Sequence, residues 1–314
     1  MGQSGYHIAL AVSNILFGIS FSVYVSLLRG SASHSMLFAL QLLSSAIIFA
    51  PFALRRRNIA RLTLDDFGTI FIVALLVVFG WWYLLIAGAR YTNPVDASTI
   101  ATIGPIFTLV VAMIADSNRA TRGETIGILT AIAGVSTLLF DRGEALLGRG
   151  EGYGNALLLC ATFASAINTA LITPVLHRHH PAIVMGWYYI IGALLASPLI
   201  VHEVQHIDTL QLTRSEWCEV GYILLLGSSL PVLLLYIGSK HLTPLHTALY
   251  RYLQPVVATI VALSRHQTKI DRTNIVGAVL IFVGMLCVIL SARQGRSLHP
   301  THGLSSPRHP RQRQ

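Results

Sequence analysis

Ten times the chain enters a run of about twenty apolar residues, the length a helix needs to cross about 30 Å of hydrocarbon. The runs lie at 8–28, 36–54, 67–89, 95–115, 125–140, 155–176, 182–201, 220–238, 245–263 and 274–290. They are continuously apolar rather than alternating, which favours helices over the strands of a barrel. Charged residues make up 11% of the chain against 54% apolar, about half the charge of a typical soluble domain. A surface so poor in charge faces lipid. Cys160, Cys218 and Cys287 lie far apart with no CxxC spacing, so neither a disulfide framework nor a thiolate metal site is expected. No Lys or Arg precedes Arg29, so the first run is expected to stay as a helix rather than to leave as a signal peptide.

Ten crossings put both termini on one side. That side collects Arg55, Arg56, Arg57, Arg61, Arg119, Arg122, Arg178, Lys240 and the five arginines beyond residue 292, 13 in all. The other side holds Arg29, Arg90, Arg142, Arg149, Arg214, Arg265, Lys269 and Arg272, a total of eight. By the positive-inside rule both termini are cytoplasmic, in a cell (inner or plasma) membrane. Residues 293–314, "RQGRSLHPTHGLSSPRHPRQRQ", have no apolar periodicity and read as a disordered basic cytoplasmic tail.

An internal repeat organises the rest. "LLIAGARYTNPVDASTIATIGPIFTLVVAM" from Leu84 aligns without a gap with "LLYIGSKHLTPLHTALYRYLQPVVATIVAL" from Leu234, an offset of 150 residues. Gly88 meets Gly238, Pro94 meets Pro244 and Pro105 meets Pro255; farther on, Arg122 meets Arg272, Gly127 meets Gly277 and Gly134 meets Gly284. Chance likeness between apolar segments does not hold prolines, glycines and flanking cations in one register. Residues 1–145 and 146–292 are therefore expected to be two five-helix repeats. Five is odd, so the second copy enters the membrane upside down, the architecture of many secondary transporters.

The paired Pro-x10-Pro…Gly-x6-Gly blocks, Pro94, Pro105, Gly127, Gly134 and Pro244, Pro255, Gly277, Gly284, carry a resemblance to the EamA family of the drug/metabolite transporter superfamily. The resemblance spans about residues 6–292 and implies ten helices in two halves, and transport of metabolites, amino acids or drug-like compounds, often by export. The chain departs from it in two places. Asn118-Arg119 and Thr268-Lys269 stand where members often carry a Gly-Glu-Arg-like turn, and Gln41 stands about where many have an arginine.

One motif points elsewhere. "HEVQH", His202 to His206, has the spacing by which a helix offers two imidazoles to zinc with Glu203 as general base. A membrane-embedded zinc metalloprotease is the alternative function. Such a site needs a stable helix, a third ligand and partners that orient the imidazoles. The motif falls beyond the seventh apolar run, in a stretch expected to be an exposed loop, with Asp208, Glu216 and Glu219 as third ligands by composition only.

A transport site would be built from polar groups set into apolar runs, because charge in a bilayer is costly and faces a cavity or the bundle interior. Arg251 lies seven residues past Pro244, about 10 Å into the ninth helix, with Tyr250, Tyr252 and Gln254 beside it. It either lines a cavity or snorkels to the interface. Arg251, Tyr250, Gln254 and Asn14 are the expected substrate-binding residues. Asn168 is a candidate for polar lining or for a helix–helix hydrogen bond. Asp96, two residues past Pro94, either complements the helix dipole or couples transport to a proton or cation. Its repeat mate His246 titrates near neutrality or is a plain interfacial histidine, and inversion keeps the two apart. Pro105 and Pro255 each remove an amide and kink their helices near mid-depth, as structural bends or as a paired hinge. The aromatics of "GWWYLL" (Gly80–Leu85) and "GWYYII" (Gly186–Ile191) pack the core or line a stacking wall.

The expected protein is an all-α integral membrane carrier moving a small organic solute by alternating access. Its expected partners are the bilayer, the solute, a coupling ion (a proton or cation) and further copies of itself in a homo-oligomer; no cofactor, metal or nucleic acid is called for. If the repeat is inverted, cysteines replacing Arg119 and Lys269 will react with an impermeant reagent from opposite sides of the membrane; labelling of both from one side contradicts the inversion.

Overall fold

The structure, a computed structural model, describes residues 2–55, 62–115, 121–140, 150–206, 212–269 and 271–298. Among these, regular structure is entirely helical. In chain order the segments are α1 (Gln3–Arg29), α2 (His34–Ala53), α3 (Leu64–Ala89), α4a (Pro94–Ala101) and α4b (Gly104–Ala115), α5 (Arg122–Phe140) and α6 (Glu151–Arg178). There follow α7a (Pro181–Leu195) and α7b (Ser197–Gln205), α8 (Arg214–His241), α9a (Pro244–Arg251) and α9b (Leu253–Ser264), and α10 (Arg272–Leu298). Seven of the described helices are long and apolar enough to cross a bilayer, and α7a with α7b, bent by 72°, makes an eighth if taken as one span. Of the ten expected runs, the fifth and ninth fall outside that group: α5 opens on the polar Arg122 and Glu124, and α9 carries His246, Arg251 and Gln254 among its apolar residues.

Helix starts repeat at the same 150-residue offset. Thr63 and Asp66 form a capping box on α3, and Thr213 and Glu216 form its equivalent on α8. Asn93 caps α4a and Thr243 caps α9a, each through the backbone amide three residues on. Such caps satisfy amides that no hydrocarbon can.

The expected proline kinks appear as breaks a few residues earlier. Pro105 has no amide for the Ala101 carbonyl, and the chain tightens into three-residue bonds from Thr102 N to Thr99 O and from Ile103 N to Ile100 O, both 3.1 Å. Ahead of Pro255, Tyr252 N bonds Leu249 O at 3.2 Å in the same way. The bend between α7a and α7b has no apolar-pattern signal; Pro198, in the first turn of α7b, is its local cause. Two further expectations change. His202 and Glu203 lie in helix α7b, not in a loop, because the apolar 199–201 stretch carries the helix on. Helix α10 runs to Leu298, past residue 292 where the tail was expected to begin. The rest of the tail, with Arg56, Arg57, Arg61, Arg119, Arg142, Arg149 and Asp208, lies outside the described residues.

The halves interlock. α1 packs on α8 and α9b, helices of the other half, while α6 packs on α3 and α4b. Glycines permit the close approaches: a Cβ on Gly88 would stand 2.9 Å from the Gly154 carbonyl. The most extensive contact joins α5 to α10. There a Cβ on Gly127 would lie 2.5 Å from the Gly284 carbonyl oxygen, one on Gly284 2.5 Å from that of Gly127, and one on Gly134 2.8 Å from that of Gly277. Repeat mates thus exchange partners across an antiparallel pair, the pattern a two-fold axis produces. With little hydrophobic drive between helices in lipid, such backbone approach is what holds the pair. Gly127→Ala or Gly284→Ala is expected to lower detergent stability by about 1–3 kcal/mol, as overpacking does. Gly221→Ala on α8, with nothing within 4 Å of its Cβ, is expected to be neutral or mildly stabilising. Thermal unfolding of the purified variants checks the contrast.

Candidate functional site

Five helices line a small central cavity of about 60 Å³, room for waters rather than for a whole solute in this state. Phe17 and Phe21 come from α1, Val77, Trp81 and Trp82 from α3, Ser165, Asn168 and Thr169 from α6, Val232, Leu235 and Tyr236 from α8, and Arg251 and Gln254 from α9. Both halves contribute. The α3 residues belong to a π-helical stretch, Leu76–Tyr83, and α8 carries another at Ile223–Gly227; the extra residue per turn re-aims side chains and recurs at functional sites. "GWWY" therefore contributes a cavity wall. Tyr188 and Tyr189 of "GWYY" are fully buried in the core.

Arg251 ends α9a, at the break. The opposing break of α4 supplies its seat: a Cβ on Gly104 would lie 2.9 Å from Arg251 Nη1. The two interrupted helices thus meet through a guanidinium laid on a glycine. No acidic residue lines the cavity. Among the described residues no carboxylate pairs with Arg251; the ion pairs engage Arg178, His179, His202 and Arg265 instead. Nearby, Asn168 Nδ2 donates to Tyr236 Oη at 3.3 Å, while Asn168 Oδ1 and Trp82 Nε1 are buried with no protein partner. Gln254 Nε2 donates to Asn14 Oδ1 at 2.6 Å, and Asn14 Nδ2 donates to the Leu10 carbonyl at 2.7 Å. The cavity therefore offers an unpaired cation, unsatisfied polar atoms and aromatic walls.

Of the expected binding residues, Arg251 and Gln254 line this cavity and Asn14 braces Gln254 from behind. Tyr250 does not line it; its hydroxyl meets His7 Nδ1 at 3.2 Å. His246 is on the same side, with Nδ1 2.7 Å from Thr243 Oγ1 and its ring edge-on to His7 at 5.1 Å. Asp96 stands at the opposite end of the molecule's helix breaks, in a cage of amides. Its Oδ1 accepts from Asn274 Nδ2 at 2.5 Å, and its Oδ2 accepts from Asn93 Nδ2 at 2.9 Å and Asn155 Nδ2 at 3.4 Å. Pro105 and Pro255 set the breaks but their rings are outside the lining. Sequence reasoning missed Tyr236 and Gly104. Each had a signal: Tyr236 replaces the apolar Ile86 of its repeat mate, and Gly104 adjoins Pro105 opposite Gln254.

The two histidines of "HEVQH" lie close together at the end of α7b, with ring centroids 4.6 Å apart and the rings tilted by 32°. The other groups are committed elsewhere. His206 Nδ1 contacts the His202 carbonyl at 2.7 Å, and Glu203 Oε2 accepts from Ser33 Oγ at 3.5 Å. Glu216 caps α8, and Glu219 pairs with Arg265 at 2.7 Å. Among the described residues no group of three or more His, Cys, Asp and Glu is placed to hold a metal.

Residues 4–140 and 152–290 each match the profile of the EamA-like transporter family. The chain belongs to that family. It is 23% identical over 217 residues to the uncharacterized transporter YyaM of Bacillus subtilis (strain 168), covering 68% of this chain and 70% of that protein. It is 21% identical over 297 residues to the uncharacterized transporter YetK of the same organism, covering 93% and 89%. A solved crystal structure shares the fold, with a TM-score of 0.62 at 17% identity over 93% of this chain and 98% of the other. This EamA-like protein is a membrane transporter, not an enzyme, and the protease alternative is set aside.

The cage and the cavity predict opposite responses to truncation. Asp96→Ala removes the acceptor of three amides and is expected to lower detergent stability by about 2 kcal/mol or more. Arg251→Ala removes a charge without a protein counter-ion and is expected to leave stability unchanged or raised. Thermal unfolding of the two purified variants decides it.

Proposed function

We propose that this EamA-like protein is a secondary-active carrier of a small organic solute bearing a carboxylate or phosphate, held in the central cavity by Arg251. The observation that carries this reading is a guanidinium in a cavity that both halves line and that holds no acid. A cation there needs a counter-charge, and the planar fork of donors suits a two-oxygen anion. Trp81, Trp82 and Phe21 would cover the apolar body of the solute. Asn168 Oδ1 and Trp82 Nε1 remain for its other polar atoms.

Inverted halves and interrupted helices support alternating access. With the termini cytoplasmic in the cell membrane, α9a lies on the inner side and α4a on the outer. All eight residues of α4a are buried. On α9a, Ala248 alone is fully buried among the residues whose side chains are described. The present state is then closed outside and open inside, and export is the direction the family resemblance favours. A proton or cation as coupling ion and assembly of identical subunits belong to the same proposal. Asp96, saturated by amide donors here, would act as an anchor in this state.

The test is uptake or efflux in proteoliposomes against a panel of organic acids, amino acids and sugar phosphates. Arg251→Ala is expected to reduce transport of the active solute by about a hundredfold, the loss of a buried charge-assisted contact of about 3 kcal/mol. Arg251→Lys is expected to recover only part, since it keeps charge but not the fork. Near-normal transport by Arg251→Ala at matched membrane levels contradicts the assignment.

A further inference from the structure

The two half-helices that begin at Pro94 and Pro244 are repeat mates in opposite circumstances. α4a is buried throughout and packs on α1, α6, α9b and α10. α9a packs on α1, α8 and α9b, and the corresponding contacts with α4b, α5 and α6 have no counterpart of similar extent. One half-helix is enclosed by its neighbours and its mate is not. The enclosed half-helix is fastened by side chains: Asp96 on α4a accepts from Asn274 on α10, which belongs to the other half.

The 150-residue offset carries that pair to the end where α9a is loosely packed. Asp96 maps to His246 and Asn274 maps to Glu124. Donor and acceptor have changed sides: the carboxylate now sits on the bundle helix and the donor on the half-helix. The local frames match. Asn93 caps the amide of Asp96 as Thr243 caps that of His246, and Asn274 Oδ1 accepts from Asp271 N as Glu124 Oε2 accepts from Thr121 N. Glu124 uses Oε2 for both of its bonds to Thr121, which leaves Oε1 for another donor. No hydrogen bond or ion pair joins Glu124 to His246 in this state. His246 instead contacts Thr243 and the ring of His7.

We infer that Glu124 and His246 form the latch of the opposite mouth, closing in the state in which Asp96 and Asn274 part. In a molecule whose halves are related by a two-fold axis, exchanging their conformations exchanges the contacts at the two mouths. The contact observed between Asp96 and Asn274 then predicts one between their mates. Both groups are already placed by caps that fix their helix ends, so closure needs movement of α9a toward α5 and no refolding. The two latches exclude each other, and each state has one polar fastening across the halves. Glu124 and Asn274 thereby become transport residues that neither contact solute nor line the cavity. The inference rests on the carrier reading.

Cross-linking tests it without any solute, so its failure is distinguishable from a failure to find transport. In a chain with Cys160, Cys218 and Cys287 replaced by Ala, the pair Glu124→Cys/His246→Cys is oxidised in membrane vesicles with copper phenanthroline. A disulfide is expected. Adding Asn274→Ala, which releases the shut mouth, is expected to raise its rate of formation about fivefold or more, as a shift of about 1 kcal/mol between two states does. Each single cysteine is first shown to react with a small maleimide. If Glu124→Cys harms folding by loss of its cap, the flanking pair Thr125→Cys/Thr247→Cys with a short bifunctional thiol reagent replaces it. Two results overturn the inference: reactive cysteines that never join, or a rate that Asn274→Ala leaves unchanged.

Discussion

Inside a hydrocarbon slab every backbone amide and carbonyl needs a partner within the protein. A helix that breaks at mid-depth defies that rule unless its neighbours enclose the break. Among the described residues such breaks fall ahead of Pro105 and Pro255, besides the bend at Ala196, and much of the architecture around the cavity serves to enclose the first two. Three-residue turns at Thr102, Ile103 and Tyr252 take up amides that an unbroken helix would use. Gly104 lets the Arg251 guanidinium lie against the α4 break. α1 and α6 each cross into the other half to pack on a broken helix. What results is a cavity where polar backbone, a cation and aromatic rings coexist at a depth that lipid alone would not permit.

The outer frame solves a different problem. α5 and α10 approach so closely that a single methyl at Gly127 or Gly284 would strike a carbonyl. These contacts are made between repeat mates in exchanged order, so under the proposed alternating access they would persist while the halves move about them. Rigid glycine contact at the frame and polar, exchangeable contact at the mouths is a division of labour suited to a two-state carrier. Asp96 belongs to the second kind. Its three amide donors come from α4, α6 and α10, so one carboxylate ties three helices at the closed end.

The helical class and the repeat were legible because both are written in one-dimensional patterns: run length, and prolines and glycines at a fixed offset. Arg251 and Gln254 were legible because charge and amide inside an apolar run have few uses other than a cavity. Tyr250 was not, since a neighbour of Arg251 in sequence lies about 100° around the helix, and it turned to His7 instead. Asp96 was visible as an isolated acid, but its cage was not, because Asn155 and Asn274 are distant in sequence and no local pattern ties them to it. The bend at Ala196 followed no change in hydropathy, so the α7 helix looked like a single span. "HEVQH" shows a related limit: spacing records which groups come near one another along a helix, not whether a third ligand arrives.

Alternating exposure of the Arg251 cavity is the central claim, and accessibility of one lining residue from the two sides tests it most directly. Thr169 lines the cavity on α6. In a chain without native cysteines, Thr169→Cys would be labelled with an impermeant thiol reagent applied separately to each face of oriented membrane vesicles. The account predicts fast reaction from the side of α9a and slower but definite reaction from the side of α4a, with the second accelerated when Asp96 loses its acceptor role in Asp96→Ala. Reaction confined to one side in both chains would contradict it.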